Sequence, residues 1–219
     1  MFEATFRTLP NANWLTITLI LFFCGFVAFK FIYKERLVQN YFLLFSNNYF
    51  FNYGKESKSI FNLYFLISYL FQCLFITLLG FTFLKYYPIN PFPVDYHVFL
   101  YIASGVSIYF LFKTLVGILL KFIFDLNETY DNVSFQKVSY LTSISLLLFP
   151  LLIISVYTTF YSEIIFKITA VLFFILLLYR YLMLVLNNKI LIASHLFYFI
   201  LYLCTVEIAP FIIFYKLKF

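Results

Sequence analysis

Six long apolar stretches constrain this chain more than any other feature of its sequence. They cover residues 14–33, 59–84, 96–120, 138–157, 163–186 and 190–215. A helix needs about 20 predominantly apolar residues to cross the hydrocarbon core of a bilayer, and each stretch is long enough. None of them shows the period-two alternation of a membrane β-barrel. The pattern predicts an all-α bundle with about six membrane spans, formed as a single transmembrane domain over residues 1–219.

The composition excludes a water-soluble domain. Apolar residues make up 64% of the 219 residues and charged residues only 11%, whereas soluble domains have about 45–50% and about 25%. A soluble fold of this size could not bury so much apolar surface. The basic residues that give the formal net charge of +6 form no run or stripe. Nucleic-acid binding is therefore not expected. We expect the chain to lie in a lipid bilayer and its basic residues to meet the lipid headgroups.

Residue types that commonly carry chemistry are sparse and scattered. Cys24, Cys73 and Cys204 lie in separate apolar stretches and form no CxxC pair, so neither a zinc site nor a redox site is predicted. Gly-rich phosphate loops and the HExxH and GxSxG motifs do not occur in the sequence. His97 and His195 are too far apart in sequence to form a local ligand pair. We therefore expect no enzyme, no catalytic residues, no metal site and no cofactor.

The first long connection, residues 36–51, has the pattern of an amphipathic helix. Its apolar side would carry Leu37, Val38, Tyr41, Phe42, Leu44, Phe45 and Tyr49, and its polar side Arg36, Gln39, Asn40, Ser46 and Asn47. Such a helix lies in the membrane interface or against a partner. Phe42, Phe45 and Tyr49 form its candidate docking face.

The second long connection, residues 122–136, has a similar pattern but carries more acid. Asp125, Glu128 and Asp131 lie within it, and anionic lipid headgroups would repel these carboxylates. We predict an interfacial segment that packs on protein instead of on lipid.

Basic residues between the stretches predict the orientation of the chain. One set of flanks contains ten of them, namely Lys30, Lys34, Arg36, Lys55, Lys58, Lys113, Lys121, Lys137, Arg180 and Lys189. The other set contains five, namely Arg7, Lys85, Lys167, Lys216 and Lys218. Because cytoplasmic flanks collect Lys and Arg, the count predicts that both termini lie outside the cytoplasm.

A few polar residues are expected at membrane depth. Lys113 and Arg180 lie within a turn or two of the predicted inner boundary, so snorkelling of their charged groups to the interface is the simpler interpretation. His195 is expected to form a hydrogen bond between helices. Small residues at several positions are expected to let helices of this chain approach one another. They are Ala103, Gly105, Ser107 and Gly117 in the third stretch and Thr142, Ser143 and Ser145 in the fourth.

Glu207 is the deepest acid, roughly 12 Å from the outer end of its stretch at 1.5 Å per residue. Pro210 cannot donate to the carbonyl of Val206, and a protonated Glu207 or a water molecule could satisfy that carbonyl. Two interpretations stay open. Glu207 closes a hydrogen bond or ion pair within the bundle, for example with His97, a tyrosine or Lys113, or it titrates or binds a partner helix. We prefer the structural interpretation, because proton relays normally need more than one polar partner.

The C-terminal residues LYLCTVEIAP, at positions 201–210, resemble the signature of an uncharacterised family of small polytopic inner-membrane proteins of Bacteroidota. Pro150, Arg180 and His195 resemble other marks of that family. The resemblance implies a location in the inner membrane of a diderm bacterium, and it implies no activity.

Three functions are compatible with the sequence. The leading hypothesis is a non-enzymatic accessory subunit of a larger inner-membrane complex, in protein export or envelope biogenesis, with other integral membrane proteins as partners. The second is a small transporter or proton-coupled component, with Glu207 as the titrating group and Arg180 or Lys113 as its partner. The third is a lipid-modifying membrane enzyme, for which the sequence offers no recognisable nucleophile. The sequence does not predict an oligomeric state.

Overall fold

The computed structural model of the protein describes residues 13–41, 43, 63–87, 95–123, 127–158 and 161–187. The regular elements in this part of the chain are helices, and no strand occurs there. The helices are α1 (Asn13–Ile32), α2 (Lys34–Tyr41), α3 (Leu63–Tyr86), α4 (Tyr96–Ile123), α5 (Asn127–Tyr157) and α6 (Ser162–Asn187). The prediction of an all-α bundle is confirmed.

Five of these helices, all but α2, are long and apolar enough to cross a membrane. They coincide with the first five predicted spans to within a few residues, except at the start of α5. The predicted sixth span, residues 190–215, lies outside the described residues, and so do His195, Cys204, Glu207 and Pro210.

Helix α5 begins at Asn127 and not near residue 138. Residues 127–136, predicted to belong to a separate interfacial segment, are therefore the first turns of a continuous helix. No proline or glycine interrupts this stretch, and Phe135 is buried with its ring centroid 5.9 Å from that of Phe65 in α3. Phe135 thus packs against protein, as we predicted for this segment.

Helix α2 turns a different side inward than the sequence predicted. Arg36 and Asn40 are buried together with Leu37, whereas Val38 and Tyr41 are 47% and 42% exposed. The prediction placed Arg36 and Asn40 on the outer, polar side and was wrong for them. An apolar side chain loses nothing by facing lipid, whereas a polar one gains from protein contacts. Phe42, Phe45 and Tyr49 of the candidate docking face lie outside the described residues.

The guanidinium of Arg36 shows what it gains by turning inward. Its central carbon lies 4.4 Å from the ring centroid of Tyr64 and 5.8 Å from that of Phe135. Cation–π contacts of this kind stabilise a buried guanidinium. Through them α2 is held against the starts of α3 and α5.

Helix α5 lies at the centre of the bundle. It packs against α6 and α3. Helix α4 packs mainly against α3. Helices α1 and α2 cover the side of the bundle formed by α3 and α5. The Trp14 ring joins α1 to α3 and α4, with centroids 5.3 Å from Phe81 and 5.2 Å from Phe99. The other end of the bundle is where α1, α4 and α6 end and α3 and α5 begin. We call it the basic end.

The interior and exterior of the bundle are typical of a membrane protein. Exposed apolar residues follow one face of α6 with helical spacing, namely Ile164, Ile168, Val171, Ile175, Leu178 and Leu182. Buried positions of α5 include small polar residues, namely Ser139, Thr142, Ser143 and Ser145. A soluble bundle would not expose such an apolar stripe to water. This protein is therefore a membrane protein.

Candidate functional site

A polar cavity lies inside the bundle, toward its basic end. Its volume is about 40 Å³, which gives room for about three water molecules at roughly 10–15 Å³ each. The described residues that line it come from four helices. They are Tyr69 and Gln72 of α3, Phe110, Lys113 and Thr114 of α4, Tyr130, Ser134, Lys137, Val138 and Leu141 of α5, and Arg180 of α6.

The three basic residues of the cavity lie at similar depths. Arg180 precedes the end of α6 at Asn187 by seven residues, Lys113 precedes the end of α4 at Ile123 by ten, and Lys137 follows the start of α5 by ten. At 1.5 Å per residue, these positions are roughly 10–15 Å from the helix ends. The cavity therefore lies about two to three helical turns in from the basic end of the bundle.

Arg180 is the most buried of these cations. Its side chain is only 5% exposed, and its Nε atom finds no hydrogen-bond acceptor among the described residues. The guanidinium carbon lies 5.6 Å from the ring centroid of Tyr181. The snorkelling interpretation does not fit Arg180, because the side chain is enclosed by the bundle and faces the cavity instead of the membrane surface.

Lys113 reaches the same cavity from α4. Its side chain is half-buried, and Nζ lies 5.9 Å from the ring centroid of Tyr109. The structure thus brings together the two cations, Lys113 and Arg180, that the sequence singled out.

Lys137 is the cation that sequence reasoning missed as a site residue, although it is buried and lines the cavity. It was assigned to a flank because the fourth span was predicted to begin at residue 138. A helix that starts earlier places Tyr130, Ser134, Lys137 and Leu141 on one face, at spacings of four, three and four residues. The polar residues on this face are the sequence pattern from which Lys137 could have been identified as a site residue.

Gln72 fixes one wall of the cavity. Its side-chain amide nitrogen donates to the carbonyl oxygen of Val138 at 2.9 Å and to the hydroxyl of Thr142 at 2.8 Å. The Thr142 hydroxyl itself donates to the same Val138 carbonyl at 2.9 Å. Because all three groups are buried, these hydrogen bonds join α3 to α5 inside the bundle.

Tyr130 closes the cavity toward α4 by lying across Gly117. A Cβ atom placed on Gly117 would collide with the Tyr130 hydroxyl and would lie 2.8 Å from its Cζ atom. Only glycine leaves room for this ring. Gly117 therefore fulfils the predicted role of a small residue at a helix–helix contact.

The carboxylate of Asp131 lies one residue along α5 from Tyr130 and is paired. Lys121 of α4 donates to its two oxygens at 2.8 and 2.9 Å. Both side chains are largely buried. This ion pair offsets the charge of Asp131 and joins α4 to α5.

The described residues contain no group of three His, Cys, Asp or Glu side chains that could hold a metal ion. Cys24 and Cys73 are free thiols in separate helices. Cys73 of α3 lies 3.2 Å from the Ser107 hydroxyl of α4, where it contributes to helix packing.

One comparison with known proteins gives a match. A family model described as a domain of unknown function (DUF4271) matches residues 15–217. The chain belongs to this family. The resemblance to an uncharacterised family is thus confirmed, and the match includes all the helices that line the cavity. No curated protein and no solved structure matches the chain.

Proposed function

We propose that the protein is a non-enzymatic, multi-pass protein of the bacterial inner membrane that serves as an accessory subunit of a larger membrane complex. Protein export or envelope biogenesis is the proposed setting. The observation that supports a subunit role is the outward surface of α4, which combines small polar residues with large apolar ones.

This surface has a notch formed by Ser104 and Gly105. Both residues are exposed, and a Cβ atom on Gly105 would meet no other atom within 4 Å. Tyr101 and Ile108, one turn to each side, are 78% and 65% exposed. Small residues between larger ones let a neighbouring transmembrane helix approach closely. A partner helix seated in the notch would cover a surface that α4 does not use within its own bundle.

Purification in a mild detergent followed by mass spectrometry tests this proposal. We expect stoichiometric partner proteins with the native chain and their loss with Gly105→Leu, which fills the notch. Leu115→Ile, farther along the same exposed face, is the matched control and should retain them. A native chain without stoichiometric partners would contradict the subunit role, as would an unchanged set of partners with Gly105→Leu.

The proposed orientation places both termini in the periplasm and the basic end in the cytoplasm. The described helices support it, since the basic end holds Lys30, Lys34, Arg36, Lys113, Lys121, Lys137 and Arg180, and the opposite end Lys85 and Lys167. Single cysteines at Ser57 and Asn90, in a background without native cysteines, provide the test. In intact spheroplasts an impermeant maleimide should label position 90 and not position 57, and the reverse would invert the orientation.

A second candidate function, a small transporter or proton-coupled component, is favoured by the cavity. Buried ionisable residues inside a bundle commonly mark ion or proton pathways, and Lys113 and Arg180 share one polar cavity. Glu207 would be the titrating group. In liposomes, Glu207→Gln should abolish proton flux while leaving protein levels unchanged, because the amide keeps hydrogen bonding and loses titration. Normal flux with Glu207→Gln would exclude this role.

A further inference from the structure

We propose that the junction of α2, α3 and α5 is a binding site for an ordered water molecule, held by Asn40, Ser68 and Ser139. The course of the three helices, the burial of these side chains and their mixture of donors and acceptors support it. The site lies inside one chain and away from the notch on α4, so it is independent of the subunit role.

Helix α2 runs into the bundle from the basic end, in the same direction as α5. Near its start, the guanidinium carbon of Arg36 lies 5.8 Å from the ring centroid of Phe135. At its end, the carbonyl oxygen of Tyr41 lies 3.5 Å from the hydroxyl of Ser143, eight residues beyond Phe135. Leu43, which follows α2, is fully buried. The middle of α2 therefore lies beside the turns of α5 between Phe135 and Ser143.

Helix α3 also runs in this direction and keeps step with α5. The rings of Phe65 and Phe135 pack with centroids 5.9 Å apart. Gln72, seven residues beyond Phe65, donates to the hydroxyl of Thr142, seven residues beyond Phe135. Equal advances along the two helices mean that positions between these contacts lie at matching levels.

One helical turn beyond the guanidinium of Arg36, all three helices carry a polar residue. The guanidinium lies over the rings of Tyr64 and Phe135. Four residues after Arg36, Tyr64 and Phe135, the chain has Asn40, Ser68 and Ser139 respectively. Positions four residues apart share one face of a helix. Since the helices run in the same direction, these faces meet again one turn on, at the three polar residues.

The polar atoms at this junction are buried and without partners among the described residues. All three side chains are 0% exposed, and neither the two amide atoms of Asn40 nor the two serine hydroxyls form a hydrogen bond there. By contrast, the buried hydroxyl of Ser145 donates to the Leu141 carbonyl of its own helix at 2.8 Å, which is how helical serines are commonly satisfied. A buried polar group without a partner is costly. A shared ligand would remove that cost for all three helices.

The mixture of donors and acceptors identifies the ligand as water. The Asn40 amide has both a nitrogen donor and an oxygen acceptor to satisfy. A cation would satisfy only the oxygen and an anion only the nitrogen, whereas water both donates and accepts. The positive charge of Arg36, one turn earlier on α2, further disfavours a cation. A buried water molecule forms about three hydrogen bonds, which Asn40 and the two serines can supply, and it would join α2 to α3 and α5.

X-ray radiolytic labelling of the full chain in nanodiscs tests the proposal. Irradiation converts bound water into hydroxyl radicals in place, and mass spectrometry detects the neighbouring rings that they oxidise. Tyr64 and Phe135, one turn from the site, should be oxidised although each is only 1% exposed. Phe75 of α3 is the internal control, because it is equally buried but lies almost two turns beyond the site. It should stay unlabelled.

Variants locate the water molecule. Asn40→Leu nearly keeps the side-chain volume and removes both amide atoms, so it should reduce the labelling of the two rings to the level of Phe75. Ser139→Ala should reduce the same labelling and keeps the test valid if Asn40→Leu fails to fold. Ser155→Ala is the matched control, a buried serine of the same helix whose hydroxyl donates to the Leu152 carbonyl. It should leave the labelling unchanged.

Thermal unfolding provides a second measurement, in which the sign of the change is informative. A hydroxyl bound to water stabilises the fold, whereas a buried hydroxyl without a partner destabilises it. Ser68→Ala and Ser139→Ala should therefore each lower the unfolding temperature by roughly 2–4 °C, the shift for the loss of one hydrogen bond in a chain of this size.

Several results would overturn the proposal. The two rings are labelled no more than Phe75, or Asn40→Leu leaves their labelling unchanged. Ser68→Ala and Ser139→Ala raise the unfolding temperature, which would show that their hydroxyls have no partner. Finally, sodium chloride but not choline chloride raises the unfolding temperature of the native chain and has no effect on Asn40→Leu, which would assign the site to a cation.

Discussion

Helices α4 and α5 are equally suited to cross a membrane, but the bundle uses them in opposite ways. Their mean hydropathy is almost the same, whereas 72% of the apolar window of α5 is buried inside the protein and only 6% of that of α4. Hydropathy therefore identifies a membrane span without indicating its place in the bundle. In lipid, an apolar side chain gains little by exchanging lipid for protein, so packing and polar contacts decide which helix becomes central.

Serine residues show why the two helices are hard to tell apart in the sequence. Ser145 of α5 is buried and donates to the Leu141 carbonyl at 2.8 Å. Ser104 of α4 is exposed and donates to the Tyr101 carbonyl at 2.9 Å. Because each hydroxyl is satisfied within its own helix, each tolerates either surrounding. What differs is the space beside it, which depends on the neighbouring helices.

The largest expected effect comes from filling that space. Ser145→Phe should destabilise the bundle by about 3 kcal/mol, since a large ring would be forced into a tightly packed helix contact. Ser104→Phe should change stability by less than about 0.5 kcal/mol, because its ring would extend into detergent or lipid. Thermal unfolding of the two purified variants in one mild detergent measures both. Equal destabilisation of the two would remove the distinction between a central and a peripheral helix.

Gly117 is a position at which α4, although mostly exposed, packs against α5. Gly117→Ala should cost about 1–2 kcal/mol, because the added methyl group must displace the Tyr130 ring. Gly105→Ala on the same helix is the matched control. It meets open space and should be neutral or slightly stabilising, since alanine favours a helix more than glycine does. A neutral Gly117→Ala would show that Tyr130 moves aside without cost.

The sequence predicted the spans well and the contacts between them poorly, for a physical reason. Long apolar runs determine that helices form and cross the membrane. Such spans can be predicted without knowing which other helices pack beside them. The inward side of α2 depends on Tyr64 and Phe135, which lie far along the chain from Arg36. No local amphipathic pattern contains that information.

The candidate site was predictable in part. Lys113 and Arg180 were recognisable as charges at membrane depth, but only the packing of α4 and α6 around α5 brings them to one cavity. Lys137 was missed because it lies close to a predicted helix start, where a lysine is ordinary. An earlier start of α5 would have placed it on the same face as Tyr130 and Ser134.

The smallest expected effect concerns the buried hydrogen bonds by which Gln72 of α3 contacts α5. Gln72→Leu removes the two hydrogen bonds to Val138 and Thr142 while nearly keeping the side-chain volume. Measured hydrogen bonds between membrane helices average about 0.6 kcal/mol and reach about 1.7 kcal/mol. We expect a loss of about 1 kcal/mol, because the Val138 carbonyl keeps the Thr142 hydroxyl as a donor.

A double-mutant cycle with Thr142→Val separates the hydrogen bond between Gln72 and Thr142 from changes in packing. If this contact contributes to stability, the double variant should lose less than the sum of the two single variants. Thr114→Val on α4 is the control, since the Thr114 hydroxyl donates to the Leu111 carbonyl of its own helix, and it should not couple to Gln72→Leu. Additive losses for Gln72 and Thr142 would contradict a stabilising contact. The central position of α5 would then rest on the close packing of its small residues, and the effect of Ser145→Phe would measure that packing directly.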